Sequence, residues 1–206
     1  MWFAMHESVT LRATRGAKVE KRILSDLERI ANNRAIAMSY YGVYDKTTVK
    51  DGATYDAWVF APHAEYWSPY FGNSLIDLQE NPISVEDSAS MEALSYSVEF
   101  EGWGPIDFEC FPGIEGVAWK THFGATRKSD GAFMDFFAYS FVRSNEYGEI
   151  THWETHVNTA YNDFLDVAIG EHGPYDDADR YMAAVARKLA SAGIDLASIM
   201  HATRKI

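Results

Sequence analysis

The side chains best suited to moving protons lie in the second half of the chain: Lys120 and His122 in WKTHFGATR, Asp135 in AFMDFFAYSFV, and His152, Glu154 and His156 alternating in HWETH. An imidazole exchanges protons near neutral pH, so His122 is a natural general acid or base; otherwise it is an ordinary hydrogen-bonded sheet histidine. Asp135 stands in the most aromatic run of the sequence, where a carboxylate needs either a partner or contact with water. Tyr66 and Ser68, in EYWSPY, can donate hydrogen bonds to a substrate oxygen, or form a structural turn. The HWETH triplet has metal-ligand residue types, but three alternate residues of a strand span about 13 Å, too far for one ion without a bulge. No metal site is assigned. The sequence has no phosphate-binding glycine loop, dinucleotide fingerprint, paired CxxC or Ser-His-Asp signature. No cofactor is implied, and the remaining chemistry is proton transfer: isomerisation, dehydration, cyclisation or retro-aldol-type cleavage.

The elements that must position these residues follow from periodicity. Residues from about Val19 to Tyr44 have apolar positions near a 3.6-residue repeat and predict a helix, with Asn32 and Asn33 a point of interruption. The segment YDAWVFAPHAEYWSPYFG starts as a strand and turns at Pro62 and Pro69. From Val85, a stripe of Met91, Leu94 and Val98 predicts a second helix, closed by Gly102 and Gly104. Four strands follow, about Ile106–Phe111, Val117–Thr126, Phe133–Arg143 and Glu149–Asn158, joined by hairpin-length turns. A helix beginning near Asp177, with Met182, Val185, Ala186 and Leu189 on its apolar stripe, ends at Gly193. A shorter one, Asp195 to about Ala202, comes after it. The fold class is α+β, helices followed by an antiparallel meander. The expected organisation is an N-terminal arm over 1–18, one α+β domain over 19–170 and a helical C-terminal extension over 171–206. The extension's apolar face must pack on its own pocket mouth or on a second subunit.

Turn positions fix an expected register. With KSDG at one hairpin tip, Gly124 faces Asp135, His122 faces Phe137 and Lys120 faces Tyr139. With SNEYG at the next, Asp135 faces Val157, Phe137 faces Thr155 and Tyr139 faces Trp153. Alternation then puts Lys120, His122, Asp135, Phe137, Tyr139, Trp153, Thr155 and Val157 on one face. Trp119, Thr121, Phe123, Phe136, His152, Glu154 and His156 share the other.

The order of elements, with AWVFAPHAEYWSPYFG after the helices and a final hairpin ending YGEITHWETHVN, resembles the SnoaL-like branch of the nuclear-transport-factor-2-like superfamily over roughly Asn33 to Gly170. The resemblance implies a curved sheet wrapped by helices into a cone with an interior pocket. Likeness to the epoxide-hydrolase and phenazine-biosynthesis members places that pocket on the face carrying Lys120 and His122. The epoxide hydrolase's basic residue corresponds to Lys120, its two acids to His122 and Thr155, and the Tyr-x-Asn of its early strand to Tyr66-Trp67-Ser68. Both carboxylates of that water-activating set are missing, which disfavours epoxide hydrolysis.

On this reading His122, Lys120, Asp135 and Tyr66 are the catalytic candidates, with Ser68, Phe137, Tyr139, Trp153, Thr155 and Tyr44 lining the substrate site. His122 protonates a departing hydroxyl, Asp135 orients the imidazole or takes the second proton, and Lys120 beside Tyr139 holds a phenolate. Alternatively, Lys120 snorkels to solvent at the rim. Tyr40, Tyr41 and Tyr44 span one helical turn and cannot all face a pocket, so most of them pack in the core. If a bulge reverses the last strand, Glu154 replaces Thr155 as the acid. The expected activity is a cofactor-independent lyase or dehydratase on a neutral hydroxylated aromatic compound, for example a lignin-type diaryl molecule losing water or formaldehyde. A polyketide-cyclase-like isomerase and a non-catalytic ligand-binding dimer domain are the alternatives.

Charge narrows the partners. The 206-residue chain has 30 acidic and 18 basic residues, a net charge of −12. From Asp51 to Trp119 there is no lysine or arginine at all, and Lys120 is the first to return. Neither nucleic acid nor an anionic membrane finds a cationic footprint here, and an anionic ligand is disfavoured. One cysteine, Cys110, allows no internal disulfide. MWFAMHES lacks the features of a secretory signal, and no run reaches the ~20 apolar residues of a membrane helix. A cytoplasmic homodimer or higher homo-oligomer, with an aromatic small molecule as its substrate, is the expectation.

Overall fold

A computed structural model describes residues 21–44, 57–68, 76–77, 85–170 and 178–195. The elements are α1 (Asp26–Tyr44), β1 (Phe60–Trp67), β2 (Ile76–Asp77), α2 (Val85–Glu99), β3 (Phe100–Pro112), β4 (Gly116–Arg127), β5 (Phe133–Ser144), β6 (Ile150–Val157), α3 (Ala160–Ile169) and α4 (Ala178–Ser191). The strands form one curved, open sheet in the order β2-β1-β6-β5-β4-β3. The run β3 to β6 is the expected antiparallel meander, and β1 joins β6 in parallel. Helices α1, α2 and α3 cover one face. This is the α+β architecture expected from the sequence.

Helix α1 starts seven residues later than its periodicity predicts, because a capping box sets its first turn. The Ser25 amide donates to Glu28 Oε2 at 2.9 Å, and the Glu28 amide returns toward Ser25 Oγ at 3.5 Å. Asn32 and Asn33 do not break it. Asn33 is fully buried, donates to the Gly113 carbonyl at 2.8 Å and accepts from Ser144 Oγ at 2.7 Å. Asn32 donates to the Gly148 carbonyl at 2.9 Å. The pair that looks like an interruption fastens the helix to two turns of the sheet.

Pro62 lies within β1 rather than at its end. The strand bulges between Phe60 and Glu65, and His63 takes a positive φ of 59° there, so the missing proline donor costs no ladder bond. Pro69 and the expected helix beyond Asp195 lie outside the described residues. Helix α2 ends directly in β3, before the two glycines expected to close it. Met91 is buried as expected, but Leu94 and Val98 are only half-buried; Ala89, Glu92, Ala93 and Tyr96, at i, i+3, i+4, i+7 spacing, and Ser95 complete the buried side. Helix α3, over AYNDFLDVAI, was not expected from the sequence. It buries Tyr161, Phe164, Leu165, Ala168 and Ile169, with Phe164 stacked on Phe100 at 4.4 Å. Helix α4 packs on α2 and α3 of its own chain, burying Tyr181, Met182, Val185 and Leu189, and Lys188 pairs with Glu99 at the end of α2. Among the described residues no helix is long and apolar enough to cross a membrane.

Candidate functional site

Register decides which side chains meet. Between β4 and β5 the pairing is as expected: Lys120 with Tyr139, His122 with Phe137, Gly124 with Asp135. Between β5 and β6 it is not. Tyr139 pairs with His156, Phe141 with Glu154 and Arg143 with His152. Two effects shift it. Asn145 pins the turn by accepting from the amides of Tyr147 and Glu149, both at 3.0 Å, which moves the centre of the turn. One extra residue, Thr151, then bulges where Arg143 faces His152 but Ser144 faces Ile150. An odd offset exchanges the faces of β6 relative to β5.

The inner face therefore carries Trp119, Thr121, Phe123, Phe136, Ser140, Trp153 and Thr155, all buried. Trp153 and Thr155 face the interior as expected. Lys120, His122, Asp135, Phe137 and Tyr139 do not: they lie on the outer face, together with His152, Glu154 and His156. There His122 Nε2 donates to Asp135 Oδ2 at 2.6 Å and stacks on Phe137 at 4.3 Å. The diagonal contact expected between imidazole and carboxylate exists, away from the interior. Lys120 Nζ lies 5.1 Å from the centre of the Phe137 ring. The reason is the binary pattern of the strands: the face with Lys120, His122, Asp135 and Arg143 holds the charges, and the uncharged one packs against the helices. Glu154 accepts from His156 at 2.9 Å and from His152 at 3.3 Å, and the bond from His156 holds it below the usual carboxylate range. It does not replace Thr155 inside. Among the described residues no three histidine, cysteine or acidic side chains gather in a way that would hold a metal ion. A groove of about 550 Å³ on this face is lined by Phe111, Ile114, Phe141, Arg143, His152 and Glu154, among others.

The interior holds a different set of polar groups, centred on Glu92. This carboxyl is 7 % exposed, and no lysine or arginine is among the described residues buried around it. Burial pushes it up to about 7, against hydrogen bonds from Tyr181 and Tyr44 that favour the ionised form. Tyr44 Oη donates to Glu92 Oε2 at 3.2 Å. Tyr40, one turn earlier on α1, packs its ring 4.9 Å from both Tyr44 and Trp119. Burial, then the charges of Tyr66 and Glu92, raise its phenol well above the usual value. Tyr66 is raised by burial and by Glu92, and it hydrogen-bonds Thr155 and Ser68. Tyr40, Tyr66 and Glu92 thus sense one another across the same interior. Thr155 also accepts from Trp153 Nε1 at 3.2 Å and contacts Ser140 Oγ at 3.0 Å. Trp119 Nε1 and Thr121 Oγ1, two residues apart on the inner face of β4, are buried with no hydrogen-bond partner. Leaving such donors unmet costs about 1–3 kcal/mol each, which a bound acceptor would recover.

Of the expected site residues, Tyr44, Tyr66, Ser68, Trp153 and Thr155 come together inside, and Lys120, His122, Asp135, Phe137 and Tyr139 gather outside. Glu92, Tyr40 and Tyr181 were missed. The signal for Glu92 was a carboxylate on a helix stripe otherwise made of Ala89, Ala93 and Tyr96, where an acid has no reason to stand if the stripe is only core.

No protein-family model matches the chain, and no curated protein does. Solved structures similar to it include a phenazine biosynthesis-related protein from Pseudomonas aeruginosa, 11% identical, TM-score 0.43, over 73% of this chain and 89% of that one. A SnoaL-like polyketide cyclase from Jannaschia is 9% identical, TM-score 0.44, over 72% and 96%. A steroid delta-isomerase from P. aeruginosa is 15% identical, TM-score 0.34, over 79% and 94%. The fold and the chemistry rest on the elements and side chains described above.

Proposed function

We propose that the chain is a cofactor-independent enzyme that moves a proton on a neutral, hydroxylated aromatic small molecule held against the inner face of the sheet, with Glu92 as the acid–base group. The observation that carries this reading is a buried carboxyl, lifted to about 7, among tyrosine hydroxyls and tryptophan rings. A general base works best when its pKa lies near the working pH. Glu92 takes a proton from a carbon beside a carbonyl of the ligand, whose oxygen can take up charge. The electron pair moves onto that oxygen, which accepts hydrogen bonds from phenols that burial keeps protonated, Tyr40 or Tyr66. Glu92 then returns the proton to carbon, giving an isomer, or to a leaving hydroxyl, giving loss of water. The rings of Trp119, Trp153 and Tyr40 supply an apolar wall for an aromatic ligand. Glu92 and the acidic stretch around it favour a neutral ligand over an anionic one.

The test is turnover, or exchange of a substrate proton with deuterated water, across a panel of hydroxylated aromatics. Glu92→Gln should lower the rate by about 10²–10⁴-fold. A rate equal to wild type in the folded variant would remove Glu92 from the reaction. Products separate loss of water or formaldehyde from isomerisation.

The outer face supports association with a second copy of the chain. Phe111, Phe133, Tyr139 and Phe141 are 63%, 60%, 38% and 47% exposed on it, more apolar surface than a solvated sheet face normally presents.

A further inference from the structure

A line of phenol hydroxyls leads away from Glu92 through the core. Tyr181 of α4 hydrogen-bonds the carboxyl. The Tyr181 and Tyr96 hydroxyls are 2.8 Å apart, and those of Tyr96 and Tyr161 are again 2.8 Å apart. None of the three tyrosines is more than 2% exposed. Their rings are fixed by packing: Tyr96 against Trp103 and Phe164, and Tyr161 against Phe136.

Counting hydrogens gives the line a direction. A phenol has one hydrogen to donate, and an ionised carboxylate has none. With Glu92 charged, the Tyr181 hydrogen must point to it. The Tyr181 oxygen then accepts from Tyr96, and the Tyr96 oxygen from Tyr161. When Glu92 is protonated it supplies a hydrogen of its own, and that demand on the line ends. Each O–H in the series is polarised by the next, so the bond reaching the carboxylate is stronger than a lone tyrosine would make. Among the described residues, Tyr44 and Tyr40 from α1 and Tyr66 from β1 are the other titratable groups facing Glu92.

We propose that Tyr161, Tyr96 and Tyr181 are positioning residues that act as one relay on Glu92, so that removing the outermost hydroxyl, two bonds beyond Tyr181, changes how readily Glu92 ionises. The relay rests on the reading of Glu92 as the reacting group only for its consequence in turnover. Its existence is a property of the resting protein. The series joins α2, α3 and α4, so the last described helix supplies the partner of the carboxyl.

The experiment is the titration of the Glu92 carboxyl in intact protein carrying carbon-13-labelled glutamate, assigned by its loss in Glu92→Gln. Tyr181→Phe, Tyr96→Phe and Tyr161→Phe are compared with wild type. The midpoint should rise by about one unit in Tyr181→Phe, and by successively smaller, measurable amounts in Tyr96→Phe and Tyr161→Phe. A midpoint unmoved in folded Tyr96→Phe and Tyr161→Phe overturns the relay. If Tyr96→Phe does not fold, Tyr161→Phe decides alone, since it removes one oxygen from the far end. If the midpoints move but the pH–rate profile does not follow, the relay stands and Glu92 as the reacting group is overturned.

Discussion

His122 Nε2 and Asp135 Oδ2 meet at 2.6 Å on the face of the sheet opposite Glu92. They are the acid–base pair that residue types suggest first, and the sheet separates them from the buried tyrosines. His122→Ala should therefore keep turnover near the wild-type rate, whereas Glu92→Gln loses about 10²–10⁴-fold. Steady-state rates of the two variants on one substrate decide between the faces.

Glu92 also makes stability depend on pH. Its carboxyl is raised from an ordinary 4.5 to about 7, so the folded state holds the proton more tightly than the unfolded one. Its contribution is present in full below the ordinary value and is lost as pH rises through about 7, a change of roughly 3 kcal/mol. Urea denaturation at pH 5 and pH 8 checks this. The wild type should lose stability relative to Glu92→Gln between the two, and a constant difference would mean that Glu92 ionises at its ordinary value.

Asn33 ties α1 to the β3–β4 turn and to the end of β5, fully buried. Asn33→Leu leaves the Gly113 carbonyl and the Ser144 hydroxyl without their partner, at a cost of about 1–3 kcal/mol for each. A lower midpoint of thermal unfolding, with the far-ultraviolet spectrum retained, is the expected result.

The exposed aromatic rings on the outer face predict self-association. Light scattering should give twice the monomer mass for the wild type, and Phe111→Glu with Phe141→Glu should return it to one. A monomeric wild type at micromolar concentration would assign that face another role.

Much of this arrangement is legible in the sequence, and the exceptions have physical causes. The β4–β5 register follows from KSDG because Asp130 binds Arg127 and Gly131 adopts a positive φ of 75°, chemistry that the turn residues announce. The β5–β6 register fails on Thr151, a one-residue bulge with no mark in composition. Which face is buried was legible after all: Lys120, His122, Asp135 and Arg143 share one side, and aromatic residues on both sides obscured it. Helix α3 was missed because AYNDFLDVAI is short and begins only two residues after the strand ends, where no Gly or Pro marks the change. Glu92 was missed because the expected stripe of Met91, Leu94 and Val98 is buried only at Met91, and the rest of the buried side, Ala89, Ala93 and Tyr96, runs alongside it.

The placement of Tyr181 has a consequence for the order in which the molecule is made. All six described strands are in hand once the ribosome has added Val157, and the sheet can pair from there. The carboxyl of Glu92 still lacks its partner from α4, some twenty residues further along the message. A chain stopped between the two would own every strand and most of its aromatic core, yet present Glu92 in an unfinished setting. On the proposed function, competence waits for α4, the last of the described helices.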